Sequence, residues 1–537
     1  MKNGVKYSWS RRNFLKASLL AVAGMPFIQS CKKEIEKLIF RVTGTNHILG
    51  HRLRTGDFPK PTRTRQENIL IIGGGIAGLS AARWLVKNDI TDFKLIELEQ
   101  EIGGNSLGKE DQYSKYPVGA HYLPLPNHSN RDLIDFLYES NIVTGFSKEG
   151  FPQYDESQLC LAPHERLFIH NYWQEGIIPN YGLSQEDLSA FSKFDEHVLH
   201  LKNAVGNDGL FVFDIPLHRS SKDENYTKLD QHTFLEWLKM QQLVNDELYA
   251  YLNYCCKDDY GIGIEKVSAW AGLHYFCSRK NTNNEVLTWP EGNYYLTKKF
   301  LPFVQGKNIK NQLVYKVNTS GDKVEVSVFD NETKSSSVVY ADKVILATPQ
   351  FINQYLLNDR KEITQKFQYA PWLTATLSIR KFPMGEGAPL AWDNVIHKGS
   401  GLGYIYNQHQ MLQQFKPPFS ITYYTALCGR ELATERRELF SKSDEYWKNN
   451  VLNDLEKAHY GITKEILSIE LHKKGHGMIS PVPSFLFSKE LKQAAVPIEN
   501  RIFFAHSDLS GISIFEEAFH QGIRAAKQLI NDTTLDS

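Results

Sequence analysis

Apolar and polar residues are arranged so that two strands flank a helix near residue 80. Residues 69–72 form an uninterrupted apolar run, as expected for a strand buried on both faces of a parallel sheet. Apolar residues then recur at helical spacing from Leu79 to Val86, and a second strand is predicted over 93–96. This order of elements predicts an α/β fold built on a parallel sheet.

Two later stretches carry similar patterns. Alternating valines after Val314 predict a hairpin that leads into a strand ending near residue 348. Residues 501–505 have the pattern of a strand, and apolar residues at helical spacing after Phe515 predict a C-terminal helix. Ser513 and Glu516 have the spacing of a capping box at the start of that helix.

A glycine-rich turn joins the first strand to the first helix. Gly73 permits a tight turn, Gly75 lets the backbone approach a ligand, and Gly78 lets the helix pack close to the strand. The start of the helix, at Ile76 and Ala77, offers unpaired N–H groups to phosphates. The turn therefore predicts a Rossmann-like dinucleotide-binding unit.

The residues after the second strand narrow the choice of dinucleotide. Glu97 stands where a carboxylate accepts hydrogen bonds from a ribose, and Gly103-Gly104-Asn105-Ser106 follows. This motif resembles that of the flavin-containing amine oxidase superfamily, which includes monoamine and polyamine oxidases, protoporphyrinogen oxidase and phytoene desaturase. Many members have Arg where this chain has Asn105. The resemblance implies noncovalently bound FAD.

The resemblance also implies roles for residues far from the glycine turn. Val314 would lie near the adenine, Asp508 near the ribityl or phosphate groups, and the backbone at Phe515 near the flavin ring. His121 lies in a Gly-Ala-containing segment that passes the flavin in the family. It is the residue there whose ordinary pKa suits proton transfer near neutrality, so it is the candidate catalytic residue. The alternative is a hydrogen-bonded structural histidine.

Three features of the sequence depart from the family or add to it. Thr374 stands where amine oxidases often have a lysine near flavin N5, and Ile514 replaces a tyrosine that forms one wall of an amine-binding aromatic cage. Loss of that wall weakens the case for a simple amine. The glycines that flank His476 predict a surface turn.

The resemblance covers separated pieces of the chain and so implies two interleaved domains. The FAD-binding domain is expected to comprise residues 67–125, 291–350 and 496–537. The remaining stretches, 126–290 and 351–495, are expected to form an α+β substrate-binding domain.

Composition excludes several classes of protein. The chain has 61 Lys+Arg against 61 Asp+Glu, and without a basic excess a nucleic-acid partner is not expected. Six cysteines without a CxxC pair indicate neither a disulfide scaffold nor a zinc site, and no metal is expected.

The amino terminus has the features of an export signal. Arg11-Arg12 followed by Phe-Leu-Lys resembles a twin-arginine signal within residues 1–30, and the residues before Cys31 resemble a lipobox. Residues 31–66, with an excess of Lys and Arg, are expected to be a basic tether on a membrane surface or a solvated linker. An exported, membrane-anchored periplasmic protein that uses the twin-arginine machinery is predicted.

Three functions remain open at this point. The first is an exported, amine-oxidase-like FAD enzyme that transfers a hydride equivalent from a substrate C–H to flavin N5, with reoxidation by oxygen or another acceptor. Its substrate is a small molecule, an amine or polyamine in the first place. The alternatives are a desaturase or isomerase of an apolar polyene or porphyrin-like substrate, and a non-catalytic, lipid-tethered flavoprotein.

Overall fold

The predicted parallel strands lie at the centre of a seven-stranded sheet in the computed structural model, which describes residues 38–281, 285–411 and 416–530. The predicted export signal over residues 1–30 and the predicted lipid-attachment residue, Cys31, lie outside the described residues. Residues 40–537 form one compact unit, and residues 1–39 form another, of which Leu38 and Ile39 are described.

The strands, in chain order, are β1 Ile39–Gly44, β2 Arg63–Ile72, β3 Phe93–Ile96, β4 Gly108–Glu110, β5 Lys115–Pro117, β6 Tyr122–Pro124, β7 Val143–Phe146, β8 Pro152–Tyr154, β9 Glu165–Ile169, β10 Tyr172–Glu175, β11 Val286–Thr288, β12 Asn308–Ile309, β13 Gln312–Ser320, β14 Lys323–Asp330, β15 Ser335–Leu346, β16 Tyr369–Ile379, β17 Asp393–Ile396, β18 Tyr404–Tyr406, β19 Phe419–Ala426, β20 Ile466–Ile479 and β21 Ile502–Phe504.

The α-helices are α1 His47–Gly50, α2 Arg52–Thr55, α3 Ile76–Lys87, α4 Arg131–Glu139, α5 Gln185–Lys202, α6 Glu224–Thr227, α7 Phe234–Met240, α8 Asp246–Tyr260, α9 Ala269–Cys277, α10 Tyr294–Val304, α11 Gln350–Leu356, α12 Lys361–Thr364, α13 Leu432–Ser441, α14 Asp444–Ala458, α15 Lys489–Ala494 and α16 Phe515–Leu529. None of the described helices is long and apolar enough to cross a membrane.

The first sheet has the order β12-β3-β2-β15-β14-β13, and β21 pairs with the second half of β15. Strands β12, β3, β2, β15 and β21 run parallel, whereas β13 and β14 form the predicted antiparallel hairpin. Ile69 and Ile71 pack into one apolar cluster while Leu70 and Ile72 pack into another, so both faces of β2 are buried. The α/β fold predicted from the sequence is confirmed.

Helices α3 and α16 pack tightly beside this sheet. Ser80 Oγ donates a hydrogen bond to the carbonyl oxygen of Phe519 at 3.0 Å. A Cβ atom at Gly522 would overlap Ser80 Oγ and the Ala77 carbonyl oxygen, so the close approach requires glycine at that position. This packing fixes where the C-terminal helix begins relative to the glycine turn.

A second sheet of eight strands has the order β1-β20-β16-β19-β18-β17-β9-β10. Apart from β1, its strands fall in the stretches expected to form the substrate-binding domain, whereas the first sheet falls in the expected FAD-binding pieces. Its long central pair, β16 and β20, is antiparallel. His476 lies within β20, so the predicted surface turn at this residue is wrong: the flanking glycines belong to a continuous strand.

The basic tether expected over residues 31–66 also needs correction in its described part. Residues 40–58 run along β20 and then over the first sheet, and β2 already begins at Arg63. Apolar residues placed between the basic ones account for this, because Leu49 and Phe58 pack against Tyr315 and Phe329. We call residues 40–58 the N-terminal strap.

Candidate functional site

A cavity of about 940 Å³ opens where the parallel strands end. This volume is at the upper end of the range for small-molecule sites, about 300–1,000 Å³, so the cavity accepts a large ligand. The carboxyl ends of β2, β3, β15 and β21 meet at this edge, as is usual for ligand sites on open parallel sheets. Twelve of the thirteen predicted cofactor-binding residues line its wall: Gly73, Gly75, Ile76, Ala77, Glu97, Gly103, Gly104, Asn105, Ser106, Val314, Asp508 and Phe515.

The thirteenth residue, Gly78, lies behind the turn. A Cβ atom there would overlap the Gly73 carbonyl oxygen, so the residue permits helix packing and does not face the cavity. Gly73 has φ +110°, and a Cβ atom on it would lie 2.5 Å from the Ala347 carbonyl oxygen. Both positions therefore require glycine for the turn itself.

Gly75 differs because its Cβ direction is open. The nearest atom to a Cβ there is Gly104 Cα, 4.0 Å away. Gly103, with φ +137°, donates its N–H to the Gly74 carbonyl oxygen at 2.9 Å. Two glycine-containing segments thus lie backbone to backbone at the cavity wall, which lets a ligand approach the main chain directly.

Two helices begin at the cavity wall. The N-cap residues Gly75 of α3 and Ile514 of α16 make no side-chain capping hydrogen bond. The capping box predicted for Ser513 and Glu516 is therefore wrong: the helix starts one residue too late for Ser513 to be its N-cap. Both starts leave backbone N–H groups available to anionic or polarised ligand atoms.

Glu97 lines the cavity at the end of β3. It accepts hydrogen bonds from the backbone N–H groups of Gly74 at 2.6 Å and Glu99 at 2.8 Å. Burial raises the pKa of this carboxyl to about 7, against the lowering effect of the two N–H donors. The side chain is thus fixed by the glycine turn on one side and the strand end on the other.

Asp508 lines the cavity in the segment that follows β21. Its Oδ2 atom accepts hydrogen bonds from the Gln350 N–H at 2.8 Å and the Tyr369 hydroxyl at 2.5 Å. Its Oδ1 atom lies 3.0 Å from His506 Nδ1. Burial and the Asp508 charge keep the pKa of Tyr369 well above its ordinary value, so that hydroxyl remains a donor.

Asn105 stands where relatives often have arginine. A lysine that the sequence analysis did not indicate lies beside it and brings a basic group to this part of the cavity. Lys474, on β20, donates its Nζ to Asn105 Oδ1 at 3.1 Å and lines the same cavity. Burial lowers the pKa of Lys474 to about 8. Thr374 neighbours the segment before His121, with its Oγ1 atom 3.5 Å from the Val118 carbonyl oxygen.

His121 does not line the cavity, although its neighbour Ala120 does. Burial lowers the pKa of His121 to about 4, so the pKa near neutrality expected from its residue type is not found. Its Nδ1 atom lies 3.3 Å from the Gly119 carbonyl oxygen. A neutral imidazole held by the backbone is a poor proton carrier at neutral pH.

An aromatic cluster surrounds His121. The His121 ring centroid lies 5.1 Å from those of Tyr122 and Tyr424 and 5.9 Å from that of Trp392. The Tyr424 hydroxyl donates to Asp393 Oδ1 at 3.2 Å. We call these five residues the aromatic–carboxylate cluster.

Further carboxylates surround this cluster. Burial, followed by the charge of Glu165, raises the pKa of Asp393 to about 8. Burial and the charges of Asp259, Asp393 and Glu165 raise the pKa of Asp258. Arg279 is the nearby cation, and it donates to Glu516 at 2.7 Å. The region is therefore rich in aromatic faces and in acidic groups that lack sufficient positive charge.

Comparison with known proteins agrees with this geometry. The family model described as flavin containing amine oxidoreductase matches residues 76–530. The chain belongs to this family. No curated protein matches the sequence. Among solved structures, putrescine oxidase bound to putrescine superposes with a TM-score of 0.64 at 14% identity, covering 87% of this chain and 100% of that one.

Two further solved structures show the same fold. Cyclohexylamine oxidase from Brevibacterium oxydans has a TM-score of 0.61 at 13% identity, covering 87% of this chain and 100% of its own. A putative protoporphyrinogen oxidase from Exiguobacterium has a TM-score of 0.57 at 14% identity, covering 89% of this chain and 99% of its own. At these identities the likeness establishes the fold alone.

The cavity residues fit FAD, the cofactor of this family. Backbone N–H groups at the start of α3, beside the open Cβ direction of Gly75, would bind a diphosphate, and those at the start of α16 would face the flavin ring. Glu97 is placed for a ribose. The protein is an FAD-dependent oxidoreductase. When bound, FAD supplies an acceptor for a hydride equivalent; the residues of this chain supply binding, orientation and charge.

Proposed function

We propose that the enzyme oxidises an amine, with diamines and polyamines as the favoured class, and that oxygen or another acceptor reoxidises the cofactor. The observation that carries the proposal is the aromatic–carboxylate cluster next to the segment that lines the cofactor cavity. Aromatic faces attract cations, and an ammonium group beside Asp393 would favour the ionised form of this acid, which burial otherwise disfavours. The names of the putrescine and cyclohexylamine oxidase structures agree with this substrate class.

The residues of the cluster divide the work. The rings of Tyr122, Trp392 and Tyr424 would surround the alkyl chain and exclude water. An ammonium group must lose a proton before the carbon beside its nitrogen can lose a hydride equivalent. Asp393, with a pKa of about 8, suits exchange of that proton near neutrality, whereas His121, at about 4, stays neutral.

The test is anaerobic mixing of the purified holoenzyme with candidate substrates. A diamine such as putrescine should bleach the yellow flavin absorbance, and the Asp393→Asn variant should require about tenfold more diamine for the same rate. Asp359→Asn, at an exposed carboxylate, is the matched control. If polyenes or porphyrinogens bleach the flavin and amines do not, the enzyme is a desaturase-type member instead; bleaching by neither would favour an electron carrier.

We also propose export to the periplasm through the twin-arginine route and anchoring at Cys31. The support is the sequence around Arg11-Arg12 and the residues before Cys31. Export in the folded state suits a protein whose cofactor is bound before transport. Replacing both arginines by lysine should leave the protein in the cytoplasmic fraction, and Cys31→Ala should release it from membranes. Unchanged fractionation of both variants would contradict the proposal.

A further inference from the structure

Basic groups from three elements outside the parallel sheet line the cofactor cavity. His51 and Arg54 come from the N-terminal strap, Arg436 comes from α13, and Lys474 and His476 come from β20. In the part of the chain that the structure describes, none of the five forms an ion pair with a carboxylate. Arg54 and Arg436 are guanidinium groups that stay charged near neutral pH, and a bound anion would offset the repulsion between them.

These groups act on one another electrostatically. Burial and then the charges of Arg436, Arg54 and His51 lower the pKa of His476 to about 3. Burial and then Arg54 lower the pKa of Arg436 to about 10. The anion that this cavity receives is FAD, whose diphosphate carries negative charge. The two arginines that line this cavity can therefore interact with the negative charge of the cofactor.

The strap is anchored to both sheets, so Arg54 is held at the cavity. Thr43 Oγ1 lies 3.0 Å from His472 Nδ1, on β20 of the second sheet. The Asn46 N–H donates to Glu99 Oε1 at 2.7 Å, two residues beyond Glu97. Phe58 stacks on Tyr315, beside Val314 in the first sheet, with ring centroids 4.0 Å apart.

A close backbone approach fixes the strap at its first contact. A Cβ atom at Gly44 would lie 2.6 Å from the Lys473 carbonyl oxygen, so only glycine permits this spacing. Eight residues of the strap line the cavity: Gly44, Thr45, Asn46, His47, Gly50, His51, Leu53 and Arg54. The strap is thus part of the cavity wall.

We propose that the N-terminal strap is a second cofactor-binding element, in which Arg54, together with Arg436, compensates the negative charge of FAD and slows its release. The strap precedes the residues matched by the family model, 76–530. Its effect concerns cofactor retention and does not depend on the substrate class.

The first experiment measures FAD release from the holoenzyme by the rise of free-flavin fluorescence after dilution. Arg54→Gln should speed release about threefold, as expected for an exposed charge, and Arg436→Gln about tenfold. Raising the salt concentration should reduce the difference in release rate between each variant and the wild type, because salt screens the interaction of the arginines with FAD in the wild type. Lys60→Gln removes an exposed charge of the same sign close to the strap and should release FAD at the wild-type rate.

Comparing the two arginine variants distinguishes loss of charge from loss of local structure. Arg436 also donates to the carbonyl oxygens of Gly475 and Tyr369, whereas the structure gives Arg54 no side-chain hydrogen bond that its loss would break. Faster release in both variants with unchanged circular dichroism supports the proposal. Release at the wild-type rate from Arg54→Gln and Arg436→Gln would overturn it.

A second measurement reports the strap directly. Amide hydrogen exchange in residues 44–55 should be slower in the holoenzyme than in protein stripped of FAD, and added FAD should restore the protection. Residues 185–202, in α5, serve as the control because none of them lines the cavity. Equal exchange of the strap with and without FAD would contradict its role as a cofactor-binding element.

Discussion

Neighbouring glycines of the turn after β2 differ in what an added methyl group would meet. At Gly78 it would overlap the Gly73 carbonyl oxygen, whereas at Gly75 it would point into open space at the cavity wall. Gly78 is thus required for folding, whereas Gly75 leaves room for the ligand. Substitutions at the two positions can therefore distinguish an effect on folding from an effect on cofactor binding.

We expect Gly75→Ala to fold normally and to bind FAD roughly tenfold more weakly, because the new methyl group occupies ligand space. Gly78→Ala should instead lower the free energy of unfolding by about 1–3 kcal/mol. Isothermal titration of FAD and urea unfolding of each variant measure the two effects. Wild-type affinity in Gly75→Ala would show that the backbone there does not contact the cofactor.

Burial of Asp393 gives folding a pH dependence. Its pKa rises from the ordinary 3.8 to about 8, so between these values the folded state holds a proton that the unfolded state releases. Stability therefore falls as pH rises through this window, by a few kcal/mol at most. The stability of Asp393→Asn relative to the wild type should rise between about pH 4 and about pH 8 and level off above that range. A pH-independent difference in urea unfolding would refute the assignment.

Residue patterns predicted the glycine turn and Glu97 of the cofactor site better than they predicted the basic residues of the cavity and the pKa of His121. Glycines and Glu97 carry a local spacing that can be read along the chain, and the structure brings them to one cavity. Lys474 and Arg54 reach that cavity from β20 and the strap, and no local spacing marks such distant contacts. The pKa of His121 also depends on burial, which its residue type does not reveal.

Among the elements, long and strongly periodic segments were predicted most closely. The helix expected from Phe515 spans Phe515–Leu529, and the strand expected over 93–96 spans Phe93–Ile96. The strap was predicted to be part of a tether because Lys and Arg outnumber Asp and Glu in residues 31–66. Its order comes from tertiary contacts such as that of Phe58 with Tyr315, which charge counting does not detect.

The packing of α3 on α16 yields a test at this scale. Gly522→Ala should separate the helices and lower the free energy of unfolding by about 1–3 kcal/mol, since its Cβ would overlap Ala77 and Ser80. FAD affinity should fall as well, because the start of α16 moves with the helix. Gly429→Ala, where the nearest atom is 3.6 Å away, is the control for the substitution alone. Wild-type unfolding of Gly522→Ala would contradict the close packing.

At the scale of the whole molecule, elements of both large sheets bound the cavity that fits FAD. The cavity is lined by the glycine turn of the first sheet and by β20 of the second, and the N-terminal strap spans the two. The cofactor is therefore expected to contribute to the stability of the entire unit formed by residues 40–537.

Adding FAD to stripped protein should raise the unfolding midpoint in a concentration-dependent manner. At one hundred times its dissociation constant, FAD should raise the free energy of unfolding by about 2.7 kcal/mol. Differential scanning fluorimetry over a series of FAD concentrations measures this effect, with adenosine alone as the control ligand. A midpoint that does not respond to FAD would indicate that the cofactor does not join the two sheets energetically.

The order of the segments in the chain has a consequence for biosynthesis. Strand β21 pairs with β15, and Asp508 and Phe515 complete the cavity, yet these residues follow the other cavity-lining segments in the chain. A nascent chain that has not passed residue 515 lacks one wall of the site. Complete flavin insertion must therefore wait until residue 515 has emerged from the ribosome, and termination of translation before that residue should yield colourless, unloaded protein.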